Sequence, residues 1–208
     1  MGDAPGAEEE FAIIASVLGT VATVEPVLGG DVTRETFLAS YQRDEHDVIW
    51  VASHADRDTY DAQKAELILR DGERVTMEQI AELGRRSDDR RRLLILNGCS
   101  SGAVSNQSPV SILGLAHQLA AEDQAVVANL WKVHTSGARV FAGLLAAALV
   151  QLPEYAEAFA WALTEFAKPA TQIAEAMKGW DDSGRFAEAL ASYNAPSVLT
   201  WGAPAMFV

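Results

Sequence analysis

His54 and Cys99 are the residues of this sequence whose types and settings could do covalent chemistry. The thiolate is the reactive form of cysteine, and it needs a base or a positive field to form near neutral pH. His54 follows the apolar run Val48 to Ser53, VIWVAS, and Cys99 follows Leu93 to Leu96, LLIL. In open α/β sheets, sites form beyond the carboxyl ends of the strands. A histidine at one strand end can serve as base for a cysteine at the next. A buried structural thiol is the competing reading, since free cysteine is often fully buried. Against it, Gly98, Ser100, Ser101 and Gly102 make a small polar loop around Cys99. The backbone N–H of Cys99 is a candidate to help hold a tetrahedral oxyanion.

The other histidines divide. His46 lies in a charged turn, and His117 falls off the apolar stripe of its helix, so both read as surface residues. His134 follows the strand-like run in VVANLWKV and stays open as an alternative base. Asp56, Asp58 and Asp61 come just after His54 and are candidates to line a substrate pocket for a basic group. Aspartate is also common in turns, and three acids do not fill a calcium shell. There is no Gly-rich phosphate loop, no H-E-x-x-H, no G-x-S-x-G and no cysteine pair for zinc. No metal and no cofactor is expected.

These residues need elements to position them. Phe11 to Val17 reads as a short buried strand. Thr33 is an expected N-cap for a helix presenting Phe37, Leu38 and Tyr41. Ala65 to Val75 reads as a hairpin around Asp71-Gly72. Thr76 and Gln79 form a capping box for a helix with Met77, Ile80 and Leu83 on its apolar stripe and Gly84 at its end. Helices are expected at Ser111 to Ala121, Ser136 to Leu152, Tyr155 to Ala167 and Ala170 to Gly179, with strands at Ala125 to Leu130 and Ala205 to Val208. Alternating apolar strands and amphipathic helices predict an α/β three-layer sandwich, with a mainly parallel central sheet and helices on both faces. Residues 1–10 read as an acidic disordered tail, and 11–208 as one domain.

Composition narrows the function. The 208 residues carry 16 Lys+Arg against 29 Asp+Glu, a net charge of −13. Such a surface repels phosphate backbones and anionic lipid, so neither nucleic acid nor membrane is an expected partner. The basic cluster Arg85, Arg86, Arg90, Arg91 and Arg92 is interrupted by Asp88 and Asp89 and reads as a solvated loop. A single cysteine forbids an internal disulfide and suits a reducing compartment. The acidic start is not a secretory signal, and the position four after Gly2 lacks the Ser or Thr of a myristoylation site. The uncharged runs Phe11 to Val24 and Val140 to Pro153 fall short of the ~20 residues that span a bilayer. A soluble, cytoplasmic protein is expected.

The segments VIWVASHAD, ELILRDGERVTMEQIAEL, LLILNGCSSG and AVVANLWKV, in that order, resemble CHAT-domain proteins. These are caspase-like cysteine peptidases often fused to tetratricopeptide repeats. GCSSG and VVANLW also look like separase, a protease of the same clan. The resemblance runs from about residue 11 to 208, with WGAPAMFV similar to the closing strand. It implies a caspase-like fold and endopeptidase activity with His54 as base and Cys99 as nucleophile, and it demotes His134. It also implies an oxyanion N–H from the residue after the histidine, usually glycine and here Ala55. Relatives often place acids after the Leu-Trp pair to bind an Arg before the scissile bond. Here Lys132 to Ser136 contains none, so that specificity is not carried over. The family's habits imply control by attached domains or a partner protein and roles in prokaryotic defence systems. A CHAT-like scaffold that binds partners without turnover is the alternative, and Ala55 is the feature that favours it.

Overall fold

The computed structural model describes residues 6–52, 54–58, 61–76, 79–80, 82–83, 90–97, 115–131, 133–180, 184–193 and 202–208. The chain divides into two compact units: Val27–Lys132 with Pro204–Val208, and Pro5–Pro26 with Val133–Ala203.

The first unit holds the apolar runs. Strand β1 (Val48–Val51), β5 (Arg92–Leu96), β6 (Gln124–Asn129) and β7 (Pro204–Phe207) form one sheet in the order β1-β5-β6-β7. The first three are parallel and β7 pairs antiparallel with β6. Every residue of β5 and β6 is buried, which is why they read as continuous apolar runs rather than alternating ones. A second sheet, β2-β3-β4, is antiparallel: β2 (His54–Asp58), β3 (Asp61–Ile68) and β4 (Arg74–Thr76). The β3–β4 hairpin turns at the expected place, with Asp71 at φ 57 and Gly72 at φ 76, both left-handed.

Ile49, Val51, Leu94, Leu96, Val126 and Ala128 form one face of the parallel sheet. Against them pack helix α2 (Arg34–Gln42) through Phe37, Leu38 and Tyr41, and helix α3 (Leu115–Leu119) through Ala116 and Leu119. Leu67, Leu69 and Val75 of the hairpin join the same core. Thr33 caps α2 in a reciprocal box with Thr36. Thr76 and Gln79 exchange the expected bonds, Thr76 N–H to Gln79 Oε1 at 3.0 Å and Gln79 N–H to Thr76 Oγ1 at 3.3 Å. Ile80 is buried and Leu83 packs on the core, while Met77 and Gly84 lie outside the described residues.

One member of the basic cluster is not solvated. Arg92 is 5% exposed at the start of β5. Its Nε donates to Gln124 Oε1 at 2.8 Å and its Nη1 to the Tyr41 carbonyl at 2.6 Å, and its guanidinium lies 4.2 Å from the centre of the Tyr41 ring. Gln124 Nε2 donates in turn to the Leu119 carbonyl at 2.7 Å. Linear charge spacing could not separate this residue from its exposed neighbours Arg90 and Arg91, because the network comes from segments distant in sequence.

The second unit is helical. Helix α4 (Thr135–Gln151) packs with α1 (Ala7–Leu18), α5 (Tyr155–Phe166) and α7 (Arg185–Ala191), while α6 (Ala170–Ala176) packs with α5 and α7. The run at Phe11 to Val17 is therefore helix, not strand. Its buried residues Ala7, Glu10, Ile13, Ile14 and Val17 follow helical spacing, and Glu8, Glu9 and Glu10 in the first turn suit the positive end of the helix dipole. A short apolar run does not separate the two periods by itself. The first turn takes in residues 7–10, which composition assigned to a tail. Helix α7 had no expectation at all. Gly143 of α4 permits close approach: a Cβ there would meet Phe186 at 2.5 Å and Ile13 at 3.1 Å.

The fold is thus mixed α/β, a four-stranded, mostly parallel sheet with helices packed on it, consistent with a caspase-like sandwich.

Candidate functional site

Strands β1 and β5 are neighbours and parallel, in the register Val48↔Leu93 to Val51↔Leu96. The Asn97 N–H donates to the Val51 carbonyl at 2.8 Å, so the two strands end level. His54 follows Val51 by three residues, and Cys99 follows Leu96 by three. The two strands therefore end together at their carboxyl ends, where sites form in open α/β sheets, and in the sequence each candidate residue comes three positions after its strand. Cys99 lies outside the described residues, as does the side chain of His54.

The backbone from His54 onward is described. β2 pairs with β3 as His54↔Ile68, Ala55↔Leu67 and Asp56↔Glu66, followed by a register shift and Asp58↔Asp61. In an antiparallel ladder each residue points both its N–H and its C=O to one side, and the side alternates along the strand. The Leu69 N–H donates to the Glu73 carbonyl at 2.7 Å, so Leu69 faces the β4 side. Ile68 then faces β2, Leu67 faces β4 and Glu66 faces β2. Ala55, opposite Leu67, consequently points its N–H away from β3. Among the described residues β2 is an edge strand of its sheet, so that N–H lies on the outer side. Ala55 is ordinary strand backbone; among the described residues the one non-glycine with positive φ is Asp71.

Asp56, Asp58 and Asp61 all fall on this hairpin, with Asp58 and Asp61 as register partners. Their side chains are outside the described residues. Opposite Asp56, Glu66 pairs with Arg74.

His134 belongs to the other unit and caps α4. Its Nδ1 lies 2.9 Å from Ser136 Oγ and accepts from the Ser136 N–H at 3.4 Å. His117 is exposed, with its ring centroid 6.3 Å from that of Phe207 in an edge-to-face arrangement. His46 is half-buried in the turn before β1.

Sequence reasoning missed two residues at this sheet edge. Asn129, 5% exposed at the end of β6, donates through Nδ2 to Asn97 Oδ1 at 3.1 Å. The signal was the same in both cases, a lone carboxamide closing an apolar strand, LLILN and AVVAN.

Among the described residues no group of three or more His, Cys, Asp or Glu could hold a metal, and no helix is long and apolar enough to cross a membrane. Compared with known families, the chain matches the CHAT domain over residues 1–205 of 208. No curated protein matches it.

Proposed function

The chain belongs to the CHAT domain family, which is related to the caspase-like peptidases, and from that premise we propose that it is a cysteine endopeptidase working through Cys99 and His54. The observation that carries this reading is the level, parallel ending of β1 and β5, from which the two residues depart at equal offsets.

His54 takes the proton of Cys99, and the thiolate attacks the carbonyl carbon of the scissile bond. The negative charge that develops on the carbonyl oxygen is held by the backbone N–H groups of Ala55 and Cys99. Protonated His54 returns its proton to the leaving amine as the tetrahedral species collapses. Water then hydrolyses the thioester, with His54 as base again. Two features of β2 support the Ala55 role: its N–H is directed off the sheet, and its extended backbone has no need of glycine. Both speak against taking Ala55 as a ground for reading the chain as a scaffold without turnover. His134 is engaged instead as the N-cap of α4, which speaks against it as base.

The substrate segment we propose is basic. Asp56, Asp58 and Asp61 share the hairpin that His54 begins, and Asp58 stands opposite Asp61. Like charges in register cost stability, a cost that a bound cationic side chain would offset. Control by an attached domain or partner protein completes the proposal.

The test is cleavage of a peptide library by wild type beside Cys99→Ala, His54→Ala and His134→Ala. The first two should lose nearly all activity, because nucleophile and base act as a unit, and His134→Ala should keep a substantial part. Equal cleavage by wild type and Cys99→Ala, or none by any protein, would overturn the proposal in favour of a binding module.

A further inference from the structure

We propose that Asn97 and Asn129 form a positioning pair that sets the direction in which the Cys99 segment leaves the sheet, an inference that rests on the dyad reading above. Leu96 and Ala128 are register partners, so Asn97 and Asn129 are the next pair along two adjacent parallel strands. The Asn129 carboxamide reaches across at 3.1 Å. Asn97 is thereby held on two sides: its main-chain N–H to Val51 of β1 and its side chain to Asn129 of β6. One residue joins three strand ends. Cys99 is two residues further on in the chain.

Stability alone does not call for this pair. Asn129 closes a strand whose every residue is buried, where leucine, of similar size, would raise no question of desolvation. A buried amide is costly unless hydrogen-bonded, and what the bond adds that apolar packing cannot is direction. The end of β5 is where direction matters, because the strand carrying the base ends level with it.

The chain's single cysteine makes the experiment specific. Iodoacetamide alkylation followed against pH reads the ionisation of Cys99 alone. Wild type should alkylate with an apparent pKa below the ordinary thiol value of about 8.5. Asn129→Leu should fold, yet move that pKa up by about one unit or more, with kcat down roughly 10- to 100-fold and KM within about twofold. Asn97→Ala, at a half-buried position, should do the same, which covers the case where Asn129→Leu does not fold. The double variant should be no worse than either single, as for residues acting as one unit.

His54→Ala in the same assay separates the two ideas. If it shifts the profile and both asparagine variants leave it in place, the positioning pair is wrong while the dyad stands. If His54→Ala itself leaves the profile unchanged, the dyad is wrong and the pair falls with it. A loss of thermal stability in the asparagine variants with an unmoved pH profile would mean that the pair only holds the fold, which also refutes the proposal.

Discussion

Ala55→Pro isolates one backbone N–H. Proline deletes the donor and fixes φ near −65°. On an edge strand, with the N–H directed outward, proline costs no ladder hydrogen bond. The ladder from Leu69 through Leu67 puts Ala55 in that situation. Proline also confines the preceding residue to extended backbone, which His54 already has. The remaining cost is the distance from a typical antiparallel φ of about −140° to that of proline, on the order of 1 kcal/mol. Asp56→Pro is the contrast. Asp56 faces β3 opposite Glu66, so its proline variant loses a ladder bond and leaves a carbonyl unpaired, about 2–3 kcal/mol. For catalysis the order reverses. Losing one oxyanion donor costs about 10²- to 10³-fold in kcat, roughly 2.7–4 kcal/mol. Ala55→Pro should therefore unfold in urea near the wild-type midpoint, alkylate at Cys99 at the wild-type rate and cut a fluorogenic peptide at least 100-fold more slowly. Cleavage within about threefold of wild type by the folded variant would refute the oxyanion role, on the same scale of donor loss. A midpoint as low as that of Asp56→Pro would refute the assignment of which way Ala55 points.

Other expectations follow from the same geometry. His134→Ala should lower stability by about 1 kcal/mol through loss of the α4 cap, measured by thermal melting, while cleavage persists. Arg92→Met keeps the volume but takes from the Tyr41 carbonyl its Arg92 donor and from Gln124 Oε1 one of two donors, and should cost about 2 kcal/mol in urea unfolding; a variant more stable than wild type would show that the buried charge is a net burden. Burial pushes the Tyr193 hydroxyl up to about 12, and it donates to the Phe166 carbonyl at 3.0 Å. Its protonated form is favoured by folding, so its contribution is whole below about pH 10 and is lost as pH rises through about 12; Tyr193→Phe should flatten the fall of the urea midpoint over that window. Replacing Asp56, Asp58 and Asp61 together by Asn should weaken any preference for basic substrates, and the wild-type preference should fall between low salt and about 0.5 M. A triple variant that cuts basic peptides as well as wild type does would exclude these acids from specificity.

Much of the fold was legible because its determinants are local. Thr33 and the Thr76–Gln79 box marked helix starts through contacts of three residues' reach. Asp71-Gly72 marked the hairpin because the turn there needs positive φ, which few residues adopt readily. The runs VIWV, LLIL and AVVAN read as buried parallel strands because both faces of such a strand are apolar. Misreadings arose where local signals are degenerate: α1 through the ambiguity of a short apolar run, β2 and the start of β3 because HADRD and DAQKAELI lack a strand's apolar alternation, and Arg92 because its partners come from α2 and β6.

The sequence by itself determined the residue types for a thiol–imidazole pair, the strands that precede them and their place after carboxyl ends. Those are properties of short stretches, written in composition, period and caps. It could not determine that β1 and β5 are adjacent and end level, that the Ala55 N–H leaves the sheet rather than joining it, or that Asn129 reaches Asn97. Each of these depends on register, the relative slide of two strands far apart in the chain. Only the packed sheet fixes register, because a slip of one residue would turn every buried side chain to the opposite face.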